Sequence, residues 1–174
     1  MRFIHQNIAL EWGRDGSPGA ATLLLLHGLS GISTSYDEVV EELGADADVF
    51  RIDLRGHGHS DRAAETYTVP FYTADVIAFI EQTIAEPVVL VGHSLGGVIT
   101  HHITATRPDL VRSALCEDPP LYFCDQILFE QSIFATVFPA LEASMRSAQA
   151  SVSPGNTSCR WWPMPRCHGG APST

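Results

Sequence analysis

The sequence predicts an α/β domain, in which a mostly parallel sheet carries helices on both faces. Strand-like and helix-like segments alternate along residues 8–116, and this alternation is typical of parallel sheets. The segments 22–26 and 88–91 are apolar throughout, as strands covered on both faces are. The 174 residues, 45% hydrophobic and 17% charged, are enough for one folded domain with a substantial core.

Each predicted element has its own sequence signal. In residues 8–12 the large apolar side chains of Ile8, Leu10 and Trp12 alternate with Ala9 and Glu11, which favours a strand. Residues 35–43 form a helix-like segment ended by Gly44, and residues 70–84 place apolar side chains at helical spacing after Pro70. The remaining predictions are helix 94–106 and strands 22–26, 49–53, 88–91 and 111–116.

Composition excludes several classes of function. The net charge is −10, which disfavours nucleic acid and anionic membranes as partners. No apolar run approaches the roughly 20 residues that cross a bilayer, and the N-terminus turns polar early, so we expect a cytoplasmic protein. The chain contains no Lys and therefore no lysine nucleophile. Its four Cys form no Cys-x-x-Cys motif, so no metal site is predicted.

The residues with the strongest chemical signal are 92–97, Gly-His-Ser-Leu-Gly-Gly. This Gly-x-Ser-x-Gly motif lies between a predicted strand and a predicted helix, where it exposes a serine on a tight turn. Ser94 is therefore the candidate nucleophile, and the backbone N–H of Leu95 is a candidate donor to an oxyanion. A purely structural glycine turn is the alternative.

Two further motifs follow buried strands. His27-Gly28 ends the strand 22–26, where a second oxyanion donor is needed, and the N–H of Leu29 or of Ser30 could supply it. Residues 53–60, Asp-Leu-Arg-Gly-His-Gly-His-Ser, form a polar loop after the next strand. We expect His27 to be structural, and the histidines of the 53–60 loop to be structural or solvated.

With these three ordered motifs, residues 3–140 resemble the α/β-hydrolase superfamily, in its lipase-, esterase- and lactonase-like branch. The resemblance implies a small ester- or lactone-like substrate, with no metal or organic cofactor. It also implies that Ser94 is the nucleophile, and that the N–H groups of Leu29 and Leu95 form the oxyanion hole. A serine at this position counts against epoxide hydrolases and haloalkane dehalogenases, whose nucleophile is Asp.

The chain departs from the family where the catalytic acid and histidine should follow. We divide it into the N-terminal part of the hydrolase core (1–120), the start of a helical lid (121–149) and an irregular tail (150–174). The tail replaces the last strand–helix units. Asp118 could be the acid, although a structural role is favoured. The required order is Ser, acid, His, and His168 is the only histidine that follows both Ser94 and Asp118.

Three hypotheses remain open at this point. The chain is a serine hydrolase, or an inactive C-terminally truncated member whose tail arose from a shifted reading frame or early stop, or a hydrolase-like protein that binds a small molecule without turnover. Truncation would leave the strand 111–116 at a bare sheet edge. We therefore expect marginal stability and self-association through that edge.

Overall fold

The computed structural model describes residues 1–63, 67–121, 130–133, 135–137, 139–140 and 143–144. The strands are β1 (Arg2–His5), β2 (Ile8–Gly16), β3 (Ala21–Leu26), β4 (Ala47–Ile52), β5 (Val88–His93) and β6 (Val111–Glu117). The helices are α1 (Asp37–Leu43), α2 (Val69–Phe79) and α3 (Leu95–Thr106). A 3-10 turn, Ser33–Tyr36, precedes α1.

The six strands form one mixed sheet in the order β1-β2-β4-β3-β5-β6. Neighbours from β4 to β6 run parallel, whereas β2 is antiparallel to β4 and β1 is antiparallel to β2. The prediction of a mostly parallel sheet in an α/β domain is therefore confirmed. Parallel pairing brings the carboxyl ends of β3, β4, β5 and β6 to one edge of the sheet, where the loops with the three motifs begin.

Helices cover both faces of the sheet, as two consecutive residues of β4 show. Neighbouring strand residues point to opposite faces. The Val49 side chain clusters with Tyr36 and Leu43 from the α1 side, whereas the Phe50 ring meets the Phe79 ring of α2 edge-on at 6.3 Å. The core therefore has two layers, one on each side of the parallel strands.

The structure corrects the N-terminal elements. The sequence analysis assigned no strand to residues 2–5, but these residues form β1, and β2 continues to Gly16 rather than ending at residue 12. Gln6 and Asn7 both have positive φ, 49° and 63°, as in the two-residue turn that joins antiparallel strands. Because the β1 segment has only one buried side chain, Phe3, its alternation is too short to be recognised.

The second predicted helix also ends differently. The α-helix stops at Phe79, and a π-helical turn continues from Ile80 to Ile84. Ala85 then takes the left-handed conformation (φ 62°) and its N–H bonds to the Ile80 carbonyl at 2.7 Å. The sequence-based boundary at residue 84 is therefore right for the helical segment as a whole, but not for its α-helical part.

Contacts divide the chain into two compact units, Met1–Pro120 and Leu121–Thr174. The first unit contains the whole sheet and all three helices named above. In the second unit, the described residues include a helical turn in which the Val137 N–H bonds to the Ile133 carbonyl at 2.9 Å. The predicted tail 150–174 lies outside the described residues. None of the helices in the described ranges combines the length and the apolar character that crossing a membrane requires.

Candidate active site

Ser94 lies on a sharp turn between β5 and α3, in a strained backbone conformation. Its φ of 50° and ψ of −110° fall in a region that residues with a side chain seldom occupy. The neighbouring glycines make this turn sterically feasible. A Cβ on Gly92 would lie 2.2 Å from the Gly96 carbonyl oxygen, and one on Gly96 would lie 2.0 Å from the Leu26 carbonyl oxygen. Strand and helix therefore approach at distances that only glycine permits.

The backbone N–H groups of Ser94 and Leu95 are placed differently. The Ser94 N–H donates a hydrogen bond to the Glu117 carbonyl at 2.9 Å, which holds the turn against the end of β6. Leu95 is the first residue of α3. N–H groups in the first turn of a helix have no partner within it and lie at its positive end. The Leu95 N–H is thus suited to stabilise negative charge next to Ser94.

The turn that follows β3 lies directly against Ser94. A Cβ placed on Gly28 would lie 3.2 Å from the Ser94 Cβ and 2.8 Å from the His93 Nδ1. The Gly28 carbonyl accepts a hydrogen bond from the Gly31 N–H at 3.0 Å, which closes residues 28–31 into a tight turn. We call residues 27–31 the oxyanion turn from here on.

The orientation of the Gly28–Leu29 peptide bears on the predicted oxyanion donor. Its carbonyl oxygen contacts the His27 Nδ1 at 2.8 Å as well as the Gly31 N–H. In a trans peptide the N–H points opposite to the C=O. Because the Gly28 carbonyl oxygen points toward the His27 Nδ1 and the Gly31 N–H, the Leu29 N–H points away from both of these groups.

The state of His27 follows from its two contacts. The Leu54 N–H donates to the His27 Nε2 at 3.0 Å, so the ring proton of the neutral imidazole is on Nδ1 and is donated to the Gly28 carbonyl. Burial lowers the pKa of His27 to about 4, with a smaller contribution from nearby His57. The prediction that His27 is structural agrees with these contacts.

Asp53, directly after β4, is hydrogen-bonded to the segment that follows the oxyanion turn. The buried Asp53 carboxylate accepts hydrogen bonds from the Ser33 N–H at 2.7 Å and the His59 N–H at 2.9 Å. Burial raises the pKa of Asp53, but the hydrogen bonds from the His59 and Ser33 N–H groups, together with contributions from the Ser33 side chain and His27, lower it, and the net effect is a lowered pKa. A Cβ on Gly58, whose φ is 49°, would lie 2.0 Å from Asp53 Oδ2. This explains the glycine at that position.

His57 connects the same loop to the oxyanion turn. Its Nε2 lies 2.7 Å from the Leu29 carbonyl oxygen, and its Nδ1 lies 3.0 Å from the Arg55 carbonyl oxygen. The sequence-based expectation of a structural or solvated side chain did not foresee a contact with Leu29, because 28 residues separate the two. No periodicity or motif signals such a contact.

A buried ion pair fixes the start of the loop to α2. The Arg55 guanidinium donates to Asp75 through Nε at 2.6 Å and through Nη2 at 2.8 Å. The His5 Nδ1 contacts the same carboxylate at 2.8 Å. Arg55 and Asp75 are each about 1% exposed, so their charges are withdrawn from water and depend on each other.

The remaining predicted site residues are placed as follows. Asp118 directly follows β6, is exposed and has a positive φ of 44°. His168 lies outside the described residues. Within the ranges that the structure describes, no three His, Cys, Asp or Glu side chains are grouped so that they could hold a metal ion. Leu29, by contrast, lies on the oxyanion turn and is partly exposed.

Comparisons with known proteins identify the family of this fold. A family model described as alpha/beta hydrolase fold matches residues 21–150. The chain is 33% identical over 112 residues to Lipase LipV of Mycobacterium tuberculosis, covering 64% of this chain and 42% of that protein. It is 32% identical over 96 residues to 2-(acetamidomethylene)succinate hydrolase of Mesorhizobium japonicum, covering 55% of this chain and 34% of that protein.

A solved structure gives the same result. The structure of E-2-(acetamidomethylene)succinate hydrolase superposes with a TM-score of 0.69 at 28% identity, over 84% of this chain and 50% of that one. The chain thus spans about a third to two fifths of the length of the two curated relatives. Since the family model covers most of the chain, the chain belongs to the alpha/beta hydrolase family.

Proposed function

We propose that this chain is a serine hydrolase that acts on a small ester- or lactone-like substrate, with Ser94 as its nucleophile. In this proposal the N–H groups of Leu29 and Leu95 form the oxyanion hole. The names of two relatives, a lipase and a 2-(acetamidomethylene)succinate hydrolase, support a hydrolytic reaction. They do not specify the substrate of this chain.

The observation that carries the proposal is the position of Ser94 on a strained turn, at the start of α3 and against the turn that contains Gly28. The strained turn presents its side chain at the N-terminus of α3, and the oxyanion turn packs against its Cβ through Gly28. Strain of this kind costs about 1–3 kcal/mol and persists where the surroundings enforce it. A purely structural turn would need neither the strain nor the adjacent tight turn.

The chemistry would proceed in two stages. The Ser94 Oγ attacks the carbonyl carbon of the substrate while the hydroxyl proton passes to a base. The carbonyl oxygen becomes an oxyanion that accepts hydrogen bonds from the Leu29 and Leu95 N–H groups. Collapse of this intermediate breaks the bond to the leaving oxygen, which takes up the proton. Water then attacks the acyl-serine by the same route, releases the carboxylic acid and restores Ser94.

The acid and base of this cycle are part of the proposal. Asp118, at the end of β6, is the candidate acid, and His168 is the candidate base. Without a functioning base, a serine hydrolase keeps only the roughly 10³–10⁴-fold acceleration that its oxyanion hole and substrate binding supply. We therefore expect low turnover if His168 does not act. A cytoplasmic location also belongs to this proposal.

Hydrolysis of p-nitrophenyl acetate and of a simple lactone tests the proposal. We expect the chain to form an acetyl adduct on Ser94, detectable by intact-protein mass spectrometry, and the Ser94→Ala variant to lose both adduct and turnover. Ser113→Ala, which changes an exposed serine in β6, is the matched control and should behave as the unmodified chain. Turnover that survives Ser94→Ala would overturn the assignment of the nucleophile.

Two further variants address the acid and base. His168→Ala should reduce turnover to the level of Ser94→Ala if His168 is the base, and Asp118→Asn should reduce it less. Unchanged turnover in either variant would remove that residue from the proposal. Substrate binding that survives Ser94→Ala, with no product formed by the unmodified chain, would instead indicate a binding protein of the hydrolase fold.

A further inference from the structure

Two successive carbonyl groups of the oxyanion turn each contact a histidine ring. The Gly28 carbonyl oxygen lies 2.8 Å from the His27 Nδ1, and the Leu29 carbonyl oxygen lies 2.7 Å from the His57 Nε2. The two rings are neighbours, with centroids 5.0 Å apart and planes at 60° to each other. His27 belongs to the oxyanion turn itself, but His57 comes from the loop after β4. The turn is therefore held partly by a side chain of a different loop.

Leu29 depends on these hydrogen bonds because packing holds it only weakly. Its side chain is 41% exposed, and the next residue, Ser30, is exposed as well. The peptide groups before and after Leu29 are planar, and each has its carbonyl oxygen on a histidine nitrogen. Together the two rings restrict both backbone angles of Leu29. They thereby set the directions of the Leu29 and Ser30 N–H groups, which are the two candidate oxyanion donors of this turn.

The position of the proton on the His57 ring decides whether the bond to Leu29 forms. The His57 Nδ1 lies 3.0 Å from the Arg55 carbonyl oxygen, so both ring nitrogens face oxygens that can only accept. A neutral imidazole has one N–H and donates to one of these oxygens, whereas the imidazolium donates to both. The contact with Leu29 is the shorter of the two. In either form, the bond to Leu29 requires a proton on Nε2.

The backbone that carries this ring is anchored on both sides. The His57 N–H donates to the Leu54 carbonyl at 2.9 Å, and the His57 carbonyl accepts from the Ser60 N–H at 3.0 Å. Leu54 and Ser60 are both buried. The half-buried His57 ring therefore reaches the exposed Leu29 from a firmly held loop.

We propose that His57 is a positioning residue, whose Nε2–H holds the Leu29 carbonyl and thereby orients the oxyanion donors of the turn. The inference rests on the proposed hydrolase function and adds a residue to it. His57 acts through the backbone of the oxyanion turn, since its two ring nitrogens lie on carbonyl oxygens. A displacement of about 1 Å between reacting groups can reduce a rate by roughly 100-fold. Loss of the His57 bond should cost less, because His27 still holds the preceding peptide.

His57→Gln and His57→Asn test the proposal as a matched pair in the full chain. The Gln amide nitrogen stands as many bonds from Cα as the His Nε2, and the Asn amide nitrogen as many as the His Nδ1. Gln can therefore keep the donor to Leu29, whereas Asn keeps only the donor to Arg55. We expect the rate of Ser94 acetylation by p-nitrophenyl acetate to fall roughly tenfold in His57→Asn. In His57→Gln it should stay within about threefold of the original rate. Equal rates in the two variants, or the reverse order, would show that the ring supports only its own loop, and the proposal would be wrong.

NMR spectroscopy tests the same contact without reference to activity. At about pH 8, where an ordinary imidazole is neutral, the nitrogen chemical shift of the His57 Nε2 should be that of a nitrogen that carries hydrogen. The carbonyl carbon shift of Leu29 should change in His57→Asn and stay near its original value in His57→Gln. His59→Asn, which alters a largely exposed ring of the same loop, is the control and should leave the Leu29 shift unchanged. A bare His57 Nε2, or the same Leu29 shift in all three variants, overturns the proposal.

The proposed function fails separately. If the unmodified chain is acetylated no faster than Ser94→Ala, Ser94 is not its nucleophile. The two NMR measurements then decide alone whether His57 holds the oxyanion turn. A protonated Nε2 together with a Leu29 shift that changes only in His57→Asn supports this role, and any other combination overturns it.

Discussion

Gly28 lies against Ser94 so closely that a Cβ on the glycine would be 3.2 Å from the Cβ of the serine. This contact joins two loops that are 66 positions apart in sequence. It also brings the predicted oxyanion donor and the predicted nucleophile into one site, although the two motifs follow different strands. The approach depends on the absence of a side chain at position 28.

Gly28→Ala should therefore reduce the reactivity of Ser94. The added methyl group would also lie 2.8 Å from the His93 Nδ1, so the His93 ring or one of the two turns has to shift. We expect the rate of acetylation of Ser94 by p-nitrophenyl acetate to fall roughly 100-fold, as for a displacement of about 1 Å. The matched control is Gly13→Ala, whose Cβ has nothing within 4 Å. Equal rates in the two variants would contradict the arrangement.

The strain at Ser94 predicts an order of stability for two variants that both lose the hydroxyl. Because φ is 50°, an alanine at this position keeps the strain, whereas glycine relieves it. We expect Ser94→Gly to unfold at a higher urea concentration than Ser94→Ala, with a free energy of unfolding about 1 kcal/mol larger. If the alanine variant is the more stable, the turn is not strained.

His27 makes the fold sensitive to acid. Its native pKa is lowered to about 4 by burial, whereas an unfolded chain binds this proton near pH 6.5. The unfolded state thus holds more protons between these values. The free energy of unfolding falls as the pH drops from about 6.5 through 4, by about 3 kcal/mol in total.

Urea unfolding at pH 7 and at pH 5 measures this effect. His27→Gln should lose part of the pH dependence while being less stable at pH 7, because the paired hydrogen bonds to Gly28 and Leu54 are disturbed. His59→Gln changes a largely exposed histidine and should retain the full dependence. If the free energy of unfolding changes with pH equally in both variants, His27 does not cause the pH dependence.

The buried pair of Arg55 and Asp75 predicts a large loss of stability on neutralisation. Asp75→Asn neutralises the carboxylate that accepts two hydrogen bonds from the Arg55 guanidinium, in a site about 1% exposed. We expect the free energy of unfolding to fall by about 3–5 kcal/mol. Asp109→Asn removes one of the two carboxylates, Asp109 and Glu81, that pair with Arg107 at the surface and should cost less than about 1 kcal/mol. Similar losses in the two variants would rule out a special role for the buried pair.

Self-association through β6 also stays a prediction. Within the described residues β6 is the last strand of the sheet, and its Leu115 side chain is 59% exposed. Exposed apolar edge strands tend to pair with other chains, and a charge on the edge opposes this. Sedimentation velocity should show concentration-dependent assembly that Leu115→Lys weakens. A monomer at all concentrations would refute the expectation.

The sequence by itself determined the elements whose signal is local. Apolar runs marked β3 and β5, and Gly92 and Gly96 around Ser94 marked the turn between β5 and α3. The backbone that crowds Gly92 belongs to nearby Gly96, whereas the backbone that crowds Gly96 belongs to the distant Leu26 carbonyl. The tight turn at Ser94 and the α/β architecture could be predicted for this reason. The short strand β1 could not, because only one of its side chains is buried.

The tertiary structure alone decided which residues support the site. The contacts of Tyr36 with Leu26 and of His57 with Leu29 join residues 10 and 28 positions apart. They arise because parallel pairing of β3, β4 and β5 brings separate loops to one edge of the sheet. Periodicity reports which face of an element is buried, whereas a hydrogen bond between two loops depends on strand order and register, which the chain acquires only on folding.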